Sequence, residues 1–480
     1  MESMTISNRG SIFIKREDLS TIRSYKWRGS FHRINKEVNS GNRGPFVATS
    51  AGNHAQGVAL AAAHLNVSAT IFMPQTTPQL KQKAAKHHGG DNVSVVLVGD
   101  TFDAANRAAM DFTQSNHATV IPPFNDIDVI AGQSTVADEI HNESAEMDFV
   151  FVPIGGGGLA SGVAFAFSEL NPSVKVIGVE VIGQDSMNQS IRNREEILLE
   201  RVDRFCDGTA VAKPGSITFS ICKEYLSEVI TVTNEQVCAA IQMLWEEKRV
   251  ITEPSGAIAL AGLIKSIECE EIDPHSQKCT AVITGGNTDF LTLPTIVERS
   301  QFAQSTRKYF RFEIDEKNGA LIGLLDQFFD GINIVDFQYG KSAESHAFPV
   351  LGISASPEQL TQFAARIADA AIPATEVTDH STTLFRVIPF RSDLTSHAIF
   401  LHVDFPDRPG ALREMMREIS SITNICYFNF NDSGQSEGHA LIGFEFQSPN
   451  DQSQLLSKLA DIQMRYRPVD FSRLIPTPSH

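Results

Sequence analysis

Over roughly the first 300 residues, short apolar runs alternate with longer stretches whose apolar positions recur at a helical period. The runs Ser11–Lys15, Pro45–Thr49, Ala69–Pro74, Val93–Gly99, Asp148–Ile154, Val174–Val181 and Thr280–Thr284 read as strands. Ala-rich segments between them, such as Asn53–Leu65 and Leu159–Leu170, read as helices. Strands this apolar, separated by helices rather than tight turns, predict mostly parallel sheets covered on both faces, an α/β body.

The pattern then changes. Leu293–Lys308 (LPTIVERSQFAQSTRK) is polar, carries a proline and has no strong period, so it reads as a linker. Beyond it the chain repeats itself: Gly319-Ala320-Leu321 recurs as Gly410-Ala411-Leu412, Asn333-Ile334 as Asn424-Ile425, Phe337 as Phe428 and Gly352 as Gly443, always 91 residues apart. Each copy reads as a ferredoxin-like βαββα unit. Such a duplicated unit is either a structural or dimerising appendage or a paired sensor of a small ligand. The sensor reading rests on the Gly-Ala-Leu turns, Asn318–Leu321 and Asp407–Leu412, each of which opens a helix whose free N–H groups can hold a carboxylate.

Composition narrows the function classes. With 42% hydrophobic and 20% charged residues among 480, the chain is of ordinary globular make-up. Lys and Arg number 40 against 57 Asp and Glu, a net charge of −17 with no basic run, so a nucleic-acid backbone is not an expected partner. Phe149–Phe167, the most apolar charge-free stretch, is broken by Pro153 and a run of glycines and cannot supply the ~20 helical residues of a membrane span. The six cysteines form no CxxC pair, and the N-terminal MESMTISNRG lacks a secretory core, which together fit a reducing, cytoplasmic setting.

Four segments suggest chemistry. In KREDLSTIRSYKWRGS, Lys26 stands between Tyr25 and Trp27 at a helix start; an ammonium among aromatic rings is desolvated, which favours the neutral amine that attacks a carbonyl, although most lysines are plain surface charges. SAGNHAQG places Ser50, Ala51, Gly52, Asn53 and His54 between a strand and a helix, where several backbone N–H groups converge on one point, as an α-carboxylate requires; a simple capped turn with a packed His54 is the structural alternative. Gly155, Gly156, Gly157 and Gly158 follow the strand FVFVPI and open a helix, a phosphate cradle by geometry and dipole. A dinucleotide site would want G-x-G-x-x-G, and although Glu180 lies near the right distance for its acidic partner, the glycines are wrongly spaced. Late in this region EPSGA contains Glu253, readable as no more than a helix N-terminal charge, and TGGN puts the Thr284 hydroxyl at a strand end.

Taken in order over roughly 290 residues, KREDL, SYKWRGS, SAGNHAQGVA, GGGGLASGV, DGTAVAKPGSITF, EPSGA and TGGN resemble the threonine dehydratase (threonine ammonia-lyase) family of pyridoxal-phosphate enzymes. The fold implied is PLP fold type II, two subdomains with open parallel sheets, and the duplicated tail resembles the paired ACT-like regulatory domain of the biosynthetic members. The bounds that follow are a catalytic domain over 1–300 with its smaller subdomain over about 40–125, a linker over 301–307, and ACT-like units over 308–380 and 398–472. By position, the resemblance makes Lys26 the Schiff-base lysine, Asn53 the donor to the cofactor 3′-oxygen and Gly155–Gly158 the phosphate holders. It sets Thr284 at the pyridine nitrogen and Ser50, Ala51, Gly52, Asn53 and His54 at the substrate carboxylate.

The activity implied is β-elimination on L-threonine, and on L-serine, giving 2-oxobutanoate and ammonia from threonine at the first step of isoleucine synthesis. Isoleucine would inhibit from the tail, near Gly319 and Leu321 or Gly410 and Leu412, in a homotetramer. Serine racemases of this fold carry a serine base where Ala51 stands, so racemisation is expected to be weak; threonine synthase motifs are not apparent. Threonine at 284 replaces the family's usual serine but keeps the hydroxyl, and the family's Thr-Pro-Leu segment has no counterpart among the 14 residues before Lys15. A catalytically impaired amino-acid sensor is the reading from another class. No metal is expected, because GVEVIGQDS does not match the acidic spacing of the cation-binding relatives.

Overall fold

The structure, a computed structural model, describes residues 1–6, 10–303, 306–370, 372–378, 380–384, 386–406, 410–431, 437–448, 450–462 and 464–469. The chain divides into two compact units, Met1–Ala303 and Gln304–His480.

The first unit carries two sheets. One runs Glu2–Thr5, Ser11–Arg16, Cys279–Ile283, Phe149–Pro153, Lys175–Val181, Glu228–Val232, with every pairing parallel except the first. The other, wholly parallel, runs Val93–Leu97, Ala69–Met73, Phe46–Thr49, Thr119–Val120. All seven strands expected from the apolar runs are present, their ends within two residues. Three further strands, Glu2–Thr5, Thr119–Val120 and Glu228–Val232, lie outside those seven runs. Helices Lys26–Asn39, Ile127–Glu143 and Gly158–Leu170 nest closely. A Cβ on Gly132 would lie 2.6 Å from Gly29 Cα, so the crossing tolerates no side chain and fixes the helix that begins at Lys26.

The stretch expected to be a linker is largely a helix, Leu293–Ala303. Pro294 sits in its first turn, where a missing N–H costs nothing, and Ile296 and Ser300, four apart, form the buried stripe against helix Asn234–Lys248. Arg299 adds an ion pair to Glu235 at 3.0 Å. Two buried positions in eleven were too few for the period to show.

The second unit bears out the repeat and adds to it. Each copy ends in one more strand than expected, Ala374–Glu376 and Arg465–Val469, making both βαββαβ. The copies join edge to edge into one eight-stranded antiparallel sheet through Asn333–Gly340 and Asn424–Asn431. Gln338 pairs with Asn429, its own equivalent in the repeat, so a pseudo-twofold axis passes between them, as in an isologous dimer interface. Phe337 and Phe428 stack beside the axis at 4.4 Å in the shared core. Both joining strands bulge at equivalent places, between Ile334 and Asp336 and between Ile425 and Tyr427. This explains the repeated glycines: a Cβ on Gly352 would meet Asp336 Cβ at 2.7 Å, and one on Gly443 would meet Tyr427 Cβ at 2.9 Å. Among the described residues, no helix is long and apolar enough to cross a membrane.

Candidate functional site

The K-R-E-D segment is a foundation and not a reactive group. Glu17 is 2% exposed and accepts from the Arg28 guanidinium at 2.7 and 2.9 Å; Arg28 also donates to Glu139, as does Lys15 at 2.5 Å. Burial would raise the Glu139 carboxyl, but the hydrogen bonds from Arg28 and Lys15 outweigh it and hold the group down at about 2. This ion cluster clamps helices Lys26–Asn39 and Ile127–Glu143 to the sheet. Ahead of it, the Ser24 amide bonds to Ser20 Oγ at 2.9 Å and the Tyr25 amide to the Thr284 carbonyl at 3.3 Å. Lys26 therefore starts its helix beside the end of strand Cys279–Ile283. Its Nζ donates to the Pro123 carbonyl at 2.9 Å and stands 5.3 Å from the Tyr25 ring, while Trp27 packs on Phe31 instead.

Pro123 leads to Phe124, whose ring lies against the glycine quartet. A Cβ on Gly156 would fall 2.3 Å from Phe124 Cγ, one on Gly158 3.0 Å from its Cα, and one on Gly155 2.9 Å from Thr209 Cα. Gly157 has φ +91°, a left-handed conformation that suits only glycine at low cost. Side chains are thus excluded by the protein's own packing, and Thr218 Oγ1 pins the loop by donating to the Gly156 carbonyl at 2.6 Å. Among the described residues, none of the amides of Gly155 to Gly158 has an acceptor within the protein. Four orphan N–H groups at the head of a 13-residue helix fit a phosphate dianion.

The Ser50–His54 turn joins strand Phe46–Thr49 to helix Asn53–Leu65. Ser50 Oγ accepts from the Gly52 amide at 3.2 Å, and among the described residues the amides of Ala51, Asn53 and His54 have no acceptor, which suits a carboxylate. The His54 ring is a different matter. Its Nε2 meets the Ile121 carbonyl at 2.8 Å and its Nδ1 faces Ser30 Oγ at 3.5 Å, with the residue 4% exposed. Burial, aided by the charge of Lys26, pushes the imidazole down to about 3. His54 can offer a ligand its backbone only.

Asn53 is held at both ends: its Nδ2 donates to Glu253 Oε1 at 2.6 Å and its Oδ1 accepts from Asn287 Nδ2 at 2.7 Å. Glu253 is 7% exposed, and burial, with Asp207 adding repulsion, pushes its carboxyl up to about 7. More than a helix-end charge, it closes the site wall, since a Cβ on Gly285 would lie 2.2 Å from its Oε1. Sequence alone gave no sign of this, because Glu253 and Asn53 are 200 residues apart. Thr284 is 4% exposed and its hydroxyl donates to the Ser255 carbonyl at 3.3 Å; Ser255 Oγ in turn faces Thr209 Oγ1 at 3.4 Å, which returns to Gly155. Lys26, the quartet, Thr284, Glu253 and Asn53 are thus linked in one ring of contacts. Glu180, the acidic residue a dinucleotide site would need, is fully buried and caps helix Ser186–Asn193 through the Met187 and Asn188 amides at 3.0 and 2.7 Å. Burial pushes it up to about 8, and no ribose can reach it.

In the second unit, Gly319 (φ +86°) and Gly410 (φ +87°) are the left-handed caps of helices Ala320–Phe328 and Ala411–Ile419. Gly319 and Leu321 line a small, partly open cleft with Glu316, Tyr339, Met416 and Asn424. Burial raises the Glu316 carboxyl, which accepts from the Tyr339 hydroxyl and, at 2.7 Å, from Asn424 Nδ2. Leu412 is buried in the core, and residues 407–409 of the second turn lie outside the described residues.

Residues 3–285 match the family model described as pyridoxal-phosphate dependent enzyme, and residues 391–474 match the C-terminal regulatory domain of threonine dehydratase. A threonine dehydratase of Nicotiana attenuata is 34% identical over 440 residues, 91% of this chain and 72% of its own. A biosynthetic L-threonine dehydratase of Haemophilus influenzae is 32% identical over 96% of this chain and 90% of its own. Among solved structures, the processed form of threonine deaminase isoform 2 from Solanum lycopersicum superposes with a TM-score of 0.59 at 40% identity, covering 61% of this chain and 80% of that one. The chain therefore belongs to the threonine dehydratase family of pyridoxal-phosphate-dependent enzymes.

Proposed function

We propose that the chain deaminates L-threonine, and also L-serine, by β-elimination of water, releasing 2-oxobutanoate and ammonia from threonine. The observation that carries this reading is the row of orphan amides at Gly155–Gly158 joined by packing, through Phe124 and Pro123, to the Lys26 amine. Gly155–Gly158 would hold the phosphate of pyridoxal phosphate, Lys26 its aldehyde carbon, Asn53 its ring oxygen and Thr284 its ring nitrogen. When bound, that cofactor withdraws electrons from the substrate Cα and so acidifies its proton. The Ala51, Asn53 and His54 amides orient the substrate carboxylate. The Lys26 amine takes the Cα proton as general base. Because Thr284 offers a hydroxyl and not a carboxylate, the negative charge at Cα is short-lived, and loss of the proton is coupled to departure of the β-hydroxyl. Ala51 supplies no base on the opposite face, which disfavours racemisation.

The cleft beside Gly319 suits isoleucine: helix amides at one end for a carboxylate, Glu316 for an ammonium, and Leu321 and Met416 for a branched alkyl group. Its binding would bias activity through a coupling of ~1–3 kcal/mol. The paired regulatory unit is consistent with assembly into a homotetramer, and six free cysteines, five of them buried, with a cytoplasmic setting. The test is to incubate the purified protein with L-threonine and follow 2-oxobutanoate with and without isoleucine. Turnover that isoleucine suppresses supports the reading, and a chain ending at Ala303 should turn over yet ignore isoleucine. Rapid D-serine formation from L-serine, or ligand-responsive assembly with no deamination, would favour the racemase or the sensor instead.

A further inference from the structure

In the second unit, strands Ile399–Pro406 and Glu437–Glu445 pair antiparallel with Asp404 opposite His439. Leu401 and Val403 point into the helix-covered core, so His402 and Asp404, alternating with them, emerge on the opposite face of the sheet. There His439 Nδ1 lies 2.7 Å from Asp404 Oδ1, and His402 Nδ1 lies 3.4 Å from the same oxygen. The two imidazole rings are near parallel, 24° apart, with centroids 5.7 Å distant. One ligand atom from each residue falls within 4.8 Å of the other two.

We propose that His402, Asp404 and His439 form a site for a divalent first-row transition cation, of which Zn²⁺ is the probe of choice. Metal–nitrogen and metal–oxygen bonds of about 2.0–2.2 Å set neighbouring tetrahedral ligands about 3.4 Å apart. The His402–Asp404 pair already has that spacing. The His439–Asp404 pair, now joined by a hydrogen bond, need open by only about 0.7 Å when its shared proton is exchanged for the metal. Two imidazoles and one carboxylate select zinc, nickel or copper over magnesium or calcium, which prefer oxygen ligands, and leave a further coordination position for water. Arg467 and Arg465, opposite His402 and Asp404 on strand Arg465–Val469, complete the charged surroundings; Arg467 Nη2 approaches His402 Nδ1 at 3.4 Å. The arginines temper affinity for a cation by charge repulsion. Ninety-one residues earlier the equivalent positions are Arg311, Glu313 and Phe348, which make no such set. Among the described residues the site is thus an addition to the second copy of the repeat.

The test uses the full chain, loaded with pyridoxal phosphate and dialysed against a chelator. Calorimetric titration with Zn²⁺, and Co²⁺ titration followed by its visible absorption, should each find one tight site per chain. His439→Ala and Asp404→Asn should each weaken it at least about tenfold while leaving threonine turnover without isoleucine unchanged. His402→Arg, which installs the residue of the first copy, should do the same. No binding by the wild-type chain, or Zn²⁺ affinity untouched by all three substitutions, overturns the proposal.

Discussion

Gly156→Ala puts one methyl group where the structure has no room for it. The added carbon would stand 2.3, 2.4 and 2.5 Å from Phe124 Cγ, Cδ1 and Cδ2, against the ~3.5–4.0 Å of ordinary carbon contacts. The ring must retreat by more than ~1 Å. It cannot go alone, because the preceding carbonyl, Pro123 O, accepts the Lys26 ammonium at 2.9 Å, and Phe124 Cα sits against Gly158. Overpacking of this kind costs ~1–3 kcal/mol. Here the cost should appear twice, as a lower melting temperature and as weaker pyridoxal phosphate binding, by roughly tenfold to a hundredfold, since the cradle and Lys26 shift together. The assay is cofactor titration of the depleted protein by absorbance, paired with thermal unfolding. Phe124→Ala removes the obstructing ring atoms, so the double variant should regain much of the affinity lost by Gly156→Ala, a coupling of ~1–3 kcal/mol. Wild-type cofactor affinity and melting temperature in Gly156→Ala, or purely additive effects in the double variant, would refute the reasoning.

Two other expectations are as direct. Burial and the charge of Asp207 push Glu253 up to about 7, so between the unfolded value of ~4.3 and 7 the folded chain keeps a proton that the unfolded chain has released. Its contribution to stability is full below about pH 4.3 and is lost as pH rises through 7. Glu253→Gln should therefore gain on wild type by ~2–3 kcal/mol between pH 5 and pH 8 in urea unfolding, and a difference independent of pH would sink the assignment. Phe337→Ala empties the stacked pair at the pseudo-twofold axis, which should cost ~3–5 kcal/mol in the second unit. Calorimetry should show that unit's transition moving down, with threonine turnover kept and the isoleucine response weakened; an unmoved transition contradicts the shared core.

What the sequence made legible, and what it did not, follows from where the information sits. The seven apolar strands and the 91-residue repeat are local patterns, written in consecutive residues and recoverable by eye. The strands Ala374–Glu376 and Arg465–Val469 are sheet edges with few buried positions, so nothing apolar announces them. Helix Leu293–Ala303 hides behind a proline and a two-residue buried stripe. At the candidate site, the motifs named Lys26, Asn53, Thr284 and the quartet, which the fold brings together, whereas Glu253 and Asn287 gain their meaning only from contacts with Asn53 across 200 and 234 positions of chain. The inward turn of His54 depends on Ile121 and Ser30, which no spacing rule connects to it.

The most direct measurement is reduction of the cofactor-loaded protein with borohydride, followed by proteolysis and mass mapping. The account predicts a phosphopyridoxyl group on the peptide that carries Lys26. The same mass on a different lysine, or on none, would contradict it.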